Sequence, residues 1–220
     1  MRRANFADVH VGLGKDGRLV KAWDFCEDNK PDEVVFHGDT LHYNEVGENV
    51  FLTEDYDTLS RIIRKYKTKI IPGNHDWKLA EMSSHYLHQF VVRPFVDEVG
   101  YYHSHWDEFD PFMSAPRWWH MLWARMFGAS KTPYVLKEQD SKAFLMYIGN
   151  IHANALMWAY HNIPSKVLIG GHTHMPMAQV LWDSGVQLWN IGDMVDSNTV
   201  LWQDDKYLCK EDLDQKVKYD

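Results

Sequence analysis

Three side chains of different charge and basicity stand together at Asn74-His75-Asp76, directly after Gly73 and the apolar run Ile70-Ile71-Pro72. An amide oxygen, an imidazole and a carboxylate on one turn can hold a cation or move a proton, and Gly73 lets the backbone turn sharply enough to present them. Alone, Gly-Asn-His-Asp reads as a turn, because Gly, Asn and Asp are ordinary loop residues. Four more clusters, each after an apolar run, change that reading: Asp8-Val9-His10, Gly38-Asp39, His103-Ser104-His105-Trp106-Asp107 and Gly171-His172-Thr173-His174. Carboxylate, imidazole and amide oxygen are the ligands of hard and borderline divalent cations. Two such ions about 3.5–4 Å apart can clamp a phosphate while activating water.

The elements that must position these groups follow from periodicity. Asn5 to Val9 reads as a short first strand, Gly17 to Asn29 as a helix with Leu19, Val20, Trp23 and Cys26 inward, and Glu33 to His37 as the second strand. Tyr43 to Thr53 reads as loop, Glu54 to Tyr66 as a helix, and Thr68 to Ile71 as the third strand. This βαβαβ order predicts parallel pairing, with ligands bound beyond the carboxyl ends of the strands, where the clusters lie. Leu79 to Phe90 reads as a further helix, and Val91 to Val96 and Gly100 to His105 as strands. Lys166 to Gly170 reads as a buried strand, followed by antiparallel strands at Ala178 to Trp182, Val186 to Asn190, Thr199 to Gln203 and Lys206 to Lys210. The span from Pro111 to His161, closed by Ile163-Pro164, carries helical stripes at Trp119, Trp123 and Met126 and at Phe144, Ile148, Ile151, Ala155 and Trp158. An extended His172-Thr173-His174 would put both imidazoles on one face.

The order Asp-x-His, Gly-Asp, Gly-Asn-His-Asp, a lone His and Gly-His-x-His resembles the calcineurin-like metallophosphoesterase superfamily, from Phe6 to about Leu201 by the strand reading. The resemblance implies an α/β fold, a four-layer α/β/β/α sandwich of two mixed sheets with a helical insertion. It also implies a dinuclear centre with metal-bound hydroxide as nucleophile. Asp39 is the natural bridge, since a shared carboxylate holds two cations close and no Lys or Arg stands beside it. By the same resemblance Asp8, His10 and His174 complete one metal site, and Asn74, His105 and His172 the other. His75 is left to protonate a leaving oxygen or steady the phosphoryl charge, with Asp76 orienting its ring. In the fourth cluster His105 is preferred as ligand because it keeps Asp107 to Asp110 in the family's register, and His103 remains the alternative. Mn²⁺ is the expected metal, with Zn²⁺, Fe²⁺/Fe³⁺ and Mg²⁺ as competitors. Near Asp39 the family often has an acid three positions on; here that residue is His42. The absence of an Asp-Arg-Gly extension argues against a phosphoprotein substrate.

A length of 220 residues predicts one domain over residues 1–220, with 111–165 as a helical insertion, or lid, within it. A formal charge of −8 argues against extensive binding of nucleic acid. Cys26 and Cys209 form no CxxC pair, which fits a reducing compartment. With no long apolar run and no apolar leader at Met1 to Phe6, a cytoplasmic location is expected, with peripheral membrane contact as a further expectation.

Around Asn190-Ile191-Gly192-Asp193-Met194-Val195-Asp196-Ser197 the chain looks like the branch that contains UDP-diacylglucosamine pyrophosphatases, which also carries a helical insertion at this place. Pro111 to Lys137 holds Arg117, Arg125, Lys131 and Lys137 but no Asp or Glu, together with Trp118, Trp119, Trp123 and Phe127. The bland reading is a helix that buries its Trp119/Trp123/Met126 stripe and exposes its charges. The sharper one makes Arg117, Trp119, Trp123 and Arg125 substrate contacts in a lid over the metals, suited to an anionic, partly apolar substrate or a membrane surface. Three functions are therefore weighed: hydrolysis of a small or lipid-linked phosphoester or pyrophosphate, a nucleotide phosphodiesterase or nuclease with tryptophans stacking on bases, and a metal-free interaction scaffold. The complete ligand set weighs against the last.

Overall fold

The computed structural model describes residues 1–14, 17–82, 85–113, 141–181, 183–205 and 207–214. Its strands are β1 (Arg3–Ala7), β2 (Glu33–His37), β3 (Lys67–Ile71), β4 (Phe95–Val96), β5 (Tyr102–His103), β6 (Val167–Gly170), β7 (Met177–Leu181), β8 (Val186–Asn190), β9 (Thr199–Gln203) and β10 (Leu208–Asp212). Helices α1 (Arg18–Asn29), α2 (Tyr43–Val46), α3 (Glu54–Lys65) and α4 (Ser141–Asn162) are joined by short 3₁₀ turns. One sheet has the order β10-β9-β1-β2-β3 and the other β4-β5-β6-β8-β7. β1, β2 and β3 run parallel, as do β5, β6 and β8, while β9, β10, β4 and β7 pair antiparallel. Both sheets are therefore mixed, as expected.

The period of two along each strand assigns the layers. Ala4 and Phe6 of β1, with Val34 and Phe36 of β2, pack on Leu19, Phe25 and Cys26 of α1 and Leu59 and Ile62 of α3. On the second sheet Leu168, Val186 and Leu188 pack on Ile151, Ala155 and Ala159 of α4, together with Trp106 and Phe109. Between the sheets lie Ala7, Val167, Ile169, Ile191 and Leu201. These are the four layers of an α/β/β/α sandwich. α3 forms where its termini are satisfied: Thr53 Oγ1 accepts from Tyr56 N at 3.2 Å, Glu54, Asp55 and Asp57 fill the first turn, and Arg64 and Lys65 the last.

The middle layer is also polar, because the alternate residues of β1 and β2 face it. Arg3 Nε donates to Glu33 at 2.6 Å and Nη1 to Asp97 Oδ2 at 2.8 Å, with all three side chains buried. Asp97 Oδ2 also accepts from Gln203 Nε2 and lies 3.1 Å from His103 Nε2, whose other ring nitrogen is 3.4 Å from His37. Asn5 completes the chain, 3.1 Å from His37 and donating to Leu201 O. Removing one partner of such a buried pair typically costs about 3–5 kcal/mol. Two of the chain's 13 histidines, His37 and His103, thus help to join the two sheets.

Several expected boundaries are corrected. β1 ends at Ala7, so Asp8 and His10 sit on the loop beyond it. The expected loop from Tyr43 contains α2 and a 3₁₀ turn, Gly47–Leu52. The expected helix Leu79 to Phe90 is instead two 3₁₀ turns, Trp77–Ala80 and Tyr86–Phe90. The second begins where the His85 ring accepts from Leu87 N, a local bond that competes with helix continuation. Val91 makes one bridge to Ile70, and only Phe95–Val96 of the expected Val91–Val96 strand is strand, after Pro94 removes a donor. β7 and β10 are shifted by one and two residues. Of the span 111–165, the described parts are 111–113 and 141–165, and α4 covers the second sheet. Arg117, Trp119, Trp123 and Arg125 lie outside the described residues. Among the described residues, no helix is long and apolar enough to cross a membrane.

Candidate metal centre

Because β1, β2 and β3 run parallel, their carboxyl ends share one edge of the first sheet. β5, β6 and β8 share one edge of the second. The two edges meet where His172 N donates to Asp8 Oδ2 at 2.8 Å and Met194 N to Asp8 O at 3.4 Å. All seven expected ligands therefore come from loops at these ends. Two glycines make the approach possible: a Cβ on Gly38 would overlap the His105 ring, and one on Gly171 would overlap Asp8 Oδ2.

Among the described residues, nine that are not glycine have positive φ, and five of them are Asp8, His10, Asp39, His172 and His174. A left-handed residue of this kind costs on the order of 1–3 kcal/mol, which persists only where surrounding structure enforces it. The strain is concentrated at this site. It also corrects the expectation that His172 and His174 share a face of an extended segment, since φ of 72° and 54° sets them on a turning loop.

One group gathers around Asp8. His10 Nε2 and His174 Nε2 are 3.4 Å apart, and Asp8 Oδ1 lies 3.5 Å from His174 Nε2 with no hydrogen-bond partner of its own. Two nitrogen ligands at about 2.1 Å from one cation, at right angles, would be about 3 Å apart. A second group gathers around Asp39, whose Oδ2 is 3.3 Å from His105 Nε2, 3.9 Å from His75 Nε2 and 4.0 Å from His10 Nε2. Asn74 Oδ1 is 3.3 Å from His105 Nε2. Asp39 thus stands between the two groups. Asp8, His10 and His174, and likewise Asp8, Asp39 and His105, offer ligand atoms within 4.8 Å of one another. His172 stands slightly apart, its ring 5.0 Å from that of His105 and its Nε2 2.9 Å from Asp110, which leaves Nδ1 to reach a cation.

The electrostatics fit cations. Burial pushes the Asp8 carboxyl up, with Asp39 adding to it against the nearby imidazoles. Burial also works against charge on Asp39, but His105, His10 and His75 outweigh it and hold the group below the usual carboxylate range. Asp76 is pushed up to about 7 by burial and by Asp39. Buried carboxylates crowded among imidazoles, one oxygen unpartnered, form a donor set that suits two divalent ions.

The geometry separates His105 from His103: His105 faces Asp39 and Asn74, whereas His103 belongs to the Asp97 network between the sheets. It also reassigns Asp76. That carboxylate accepts from Gly73 N at 2.7 Å and Leu41 N at 3.0 Å, bracing the loop, while His75 Nδ1 meets Glu45 Oε1 at 2.8 Å. Glu45, not Asp76, is in contact with the His75 ring. Sequence reasoning gave no supporting role to Asp110 behind His172, Asp193 3.0 Å from His174 Nδ1, or His42 3.2 Å from His10 Nδ1. The single-residue departure at His42 was the available signal for that last group.

The sequence matches the calcineurin-like phosphoesterase family over residues 1–176, and the chain belongs to that family. No curated protein matches it. Among solved structures it is similar to Yfce, a phosphoesterase from E. coli, at 16% identity and a TM-score of 0.56, covering 98% of this chain and 96% of that one. A dimetal phosphatase from Danio rerio gives 12% identity and a TM-score of 0.57, covering 96% and 95%. TT1561 of Thermus thermophilus gives 12% and 0.52, covering 96% and 98%. At such identities the likeness is one of fold. Family membership and site together define a metal-dependent phosphoesterase.

Proposed function

We propose that this protein hydrolyses a phosphoester with two divalent cations, one held by Asp8, His10 and His174 and the other by Asn74, His105 and His172, with Asp39 between them. The observation that carries this reading is the position of Asp39 Oδ2, within 4.0 Å of imidazole nitrogens from three separate loops. When bound, the cations supply Lewis-acid polarisation of the phosphoryl oxygens and a more acidic water. His75, whose Nε2 lies 3.9 Å from the same carboxylate oxygen, would protonate the leaving oxygen in this reading. The metal we propose is Mn²⁺, with Zn²⁺ and iron as competitors for the same imidazole, carboxylate and amide donors. Elemental analysis and anomalous scattering after reconstitution should find two cations; one, or none, overturns the reading.

The substrate class we propose is a lipid-linked phosphoester or pyrophosphate of the UDP-diacylglucosamine kind, met at a membrane surface. Its support is α4. On one side Tyr147 OH donates to Asp110, behind His172, and Asn154 Nδ2 donates to Phe109 O at 3.0 Å. Away from these contacts Met146 and Met157 are 63% and 62% exposed, on a helix with a single Lys and no Asp or Glu. Exposed apolar side chains on a helix that also touches Asp110 suit a substrate with both phosphate and acyl chains. Turnover of UDP-diacylglucosamine should be compared with that of a deacylated analogue, bis-p-nitrophenyl phosphate and cyclic nucleotides, with binding to anionic vesicles alongside. Met146→Glu with Met157→Glu should raise KM for the acylated substrate alone. Preference for cyclic nucleotides would favour the phosphodiesterase reading, and no turnover at full metal content the scaffold.

A further inference from the structure

We propose that Glu45 is the positioning residue for His75 and that, through His42, it ties the proton-handling side of the site to the metal-binding side. The inference rests on the reading of His75 as proton donor and His10 as ligand, and adds a residue which that reading does not contain. Glu45 Oε1 lies 2.8 Å from His75 Nδ1, and Glu45 Oε2 lies 3.6 Å from His42 Nε2. The His42 and His75 rings stack at 4.7 Å, and His42 Nδ1 is 3.2 Å from His10 Nδ1. One carboxylate therefore spans two imidazoles, the second of which abuts a third.

The hydrogens in this chain can be placed in only one consistent way. If His10 gives Nε2 to a cation, its Nδ1 carries the hydrogen and donates to His42 Nδ1. His42 must then carry its own hydrogen on Nε2, the atom nearest Glu45 Oε2. A carboxylate only accepts, so His75 donates from Nδ1 to Glu45 Oε1, which leaves Nε2, on the side of Asp39 and the centre, as the atom that takes up the second proton and gives it to the leaving oxygen. Glu45 thus accepts from His75, while its second oxygen faces His42 Nε2 at 3.6 Å, an electrostatic contact longer than a hydrogen bond.

The backbone builds this arrangement. The single turn of α2 sets residues 42 and 45 three apart, hence on one face. Asn44 N donates to His75 O at 2.9 Å and Asn44 Nδ2 to Asn74 O at 2.8 Å, so the turn is stitched to the loop that carries His75. Glu48, on the following turn, is also exposed and serves as a charge-matched control.

The test uses phosphoesters whose leaving groups run from p-nitrophenol to simple alcohols. A good leaving group departs without a proton and a poor one does not, so losing the proton donor steepens the dependence of kcat on leaving-group pKa. Glu45→Ala should lose at least about tenfold more kcat on the alkyl than on the aryl ester, in the same direction as His75→Ala and by less. Glu48→Gln should follow the wild-type line. In the metal-free protein, ¹⁵N shifts should show His75 with its hydrogen on Nδ1, and Glu45→Ala should abolish that preference. A wild-type slope in Glu45→Ala, with a steep slope in His75→Ala, overturns the role of Glu45 and leaves His75 standing. If His75→Ala keeps the wild-type slope as well, the proton-donor reading fails and the inference fails with it.

Discussion

The histidines of the centre are braced in two different ways. His172 and His174, on the loop after β6, each lean on a carboxylate, Asp110 at 2.9 Å and Asp193 at 3.0 Å. His10 leans on the neutral ring of His42, and His105 on the backbone carbonyl of His37 at 2.9 Å. The contrast is visible in basicity. Burial works against a charged His174, yet Asp8 and Asp193 overcome it and push the ring up to about 9. His10, the more deeply buried of the two, is held well below the ordinary value by burial and by the imidazoles of His174, His75 and His42, which outweigh Asp39. At the other proposed cation burial also opposes a charged His105, yet Asp39 and Asp8 push that ring well above the ordinary value, so there the anions act from inside the site. The lesson is that a ligand's basicity follows the anions around its ring, Asp193 from behind for His174 and Asp39 from the front for His105.

The largest expected effect tests what both kinds of histidine share. Asp39→Asn should empty both metal positions and reduce turnover by about 10³-fold or more, since removing even one electrostatic stabiliser of a transition state costs about 10²–10³-fold; metal analysis showing one cation retained would mean that Asp39 serves one side only. A smaller effect discriminates between the braces. Asp193→Asn and Asp110→Asn should each weaken metal affinity by about 10–100-fold, the usual worth of a carboxylate behind a ligating histidine. His42→Gln should weaken it less. Chelator competition measures all three, and equal losses would erase the contrast.

The smallest effect lies away from the site, in the network between the sheets. Asp97 is held down to about 2 from 3.8, since His103 and Gln203 outweigh the burial that opposes its charge. A depressed carboxyl contributes stability that is complete above the unfolded value near 3.8 and is lost as pH falls toward 2. Urea unfolding at pH 6 and pH 2 should therefore show the gap between wild type and Asp97→Asn shrinking by on the order of 2 kcal/mol. Metal affinity at neutral pH should stay unchanged, which separates the braces of the site from the braces of the fold.

What could be read in the sequence was whatever chemistry is written locally. Asp8, His10, Asp39, Asn74, His105, His172 and His174 each stand beside a strand end and a turn residue, so their convergence could be anticipated from the order of elements. The parallel βαβαβ start followed from the same periodicity, and the two mixed sheets from the family resemblance. Glu45, Asp110 and Asp193 could not be read in this way, because an acid near a loop is ordinary and its partner lies 30, 62 or 19 residues away. Asp76 misled for the opposite reason: adjacency to His75 suggested a contact, but a side chain pinned by two backbone amides faces away from its neighbour. The stretch from Leu79 to Phe90 has helical spacing without a helix, since its polar side chains close local turns first.

The pairing of β1 with β9 has a consequence for the order in which the molecule can be made. Arg3, Ala4 and Asn5 are flanked by Glu33 to Val35 on one side and by Leu201 to Gln203 on the other. The strand that leads to Asp8 and His10 therefore waits, half-paired, for a segment almost two hundred residues downstream. Such distant pairing slows folding and leaves an open strand edge on the growing chain. During synthesis α1, β2, α3 and β3 can condense around β1 early, but the edge that β9 will cover stays exposed until it leaves the ribosome. Mutations that weaken β9 should then show themselves first as lost yield and aggregation of nascent chains, before any purified protein is found to be defective.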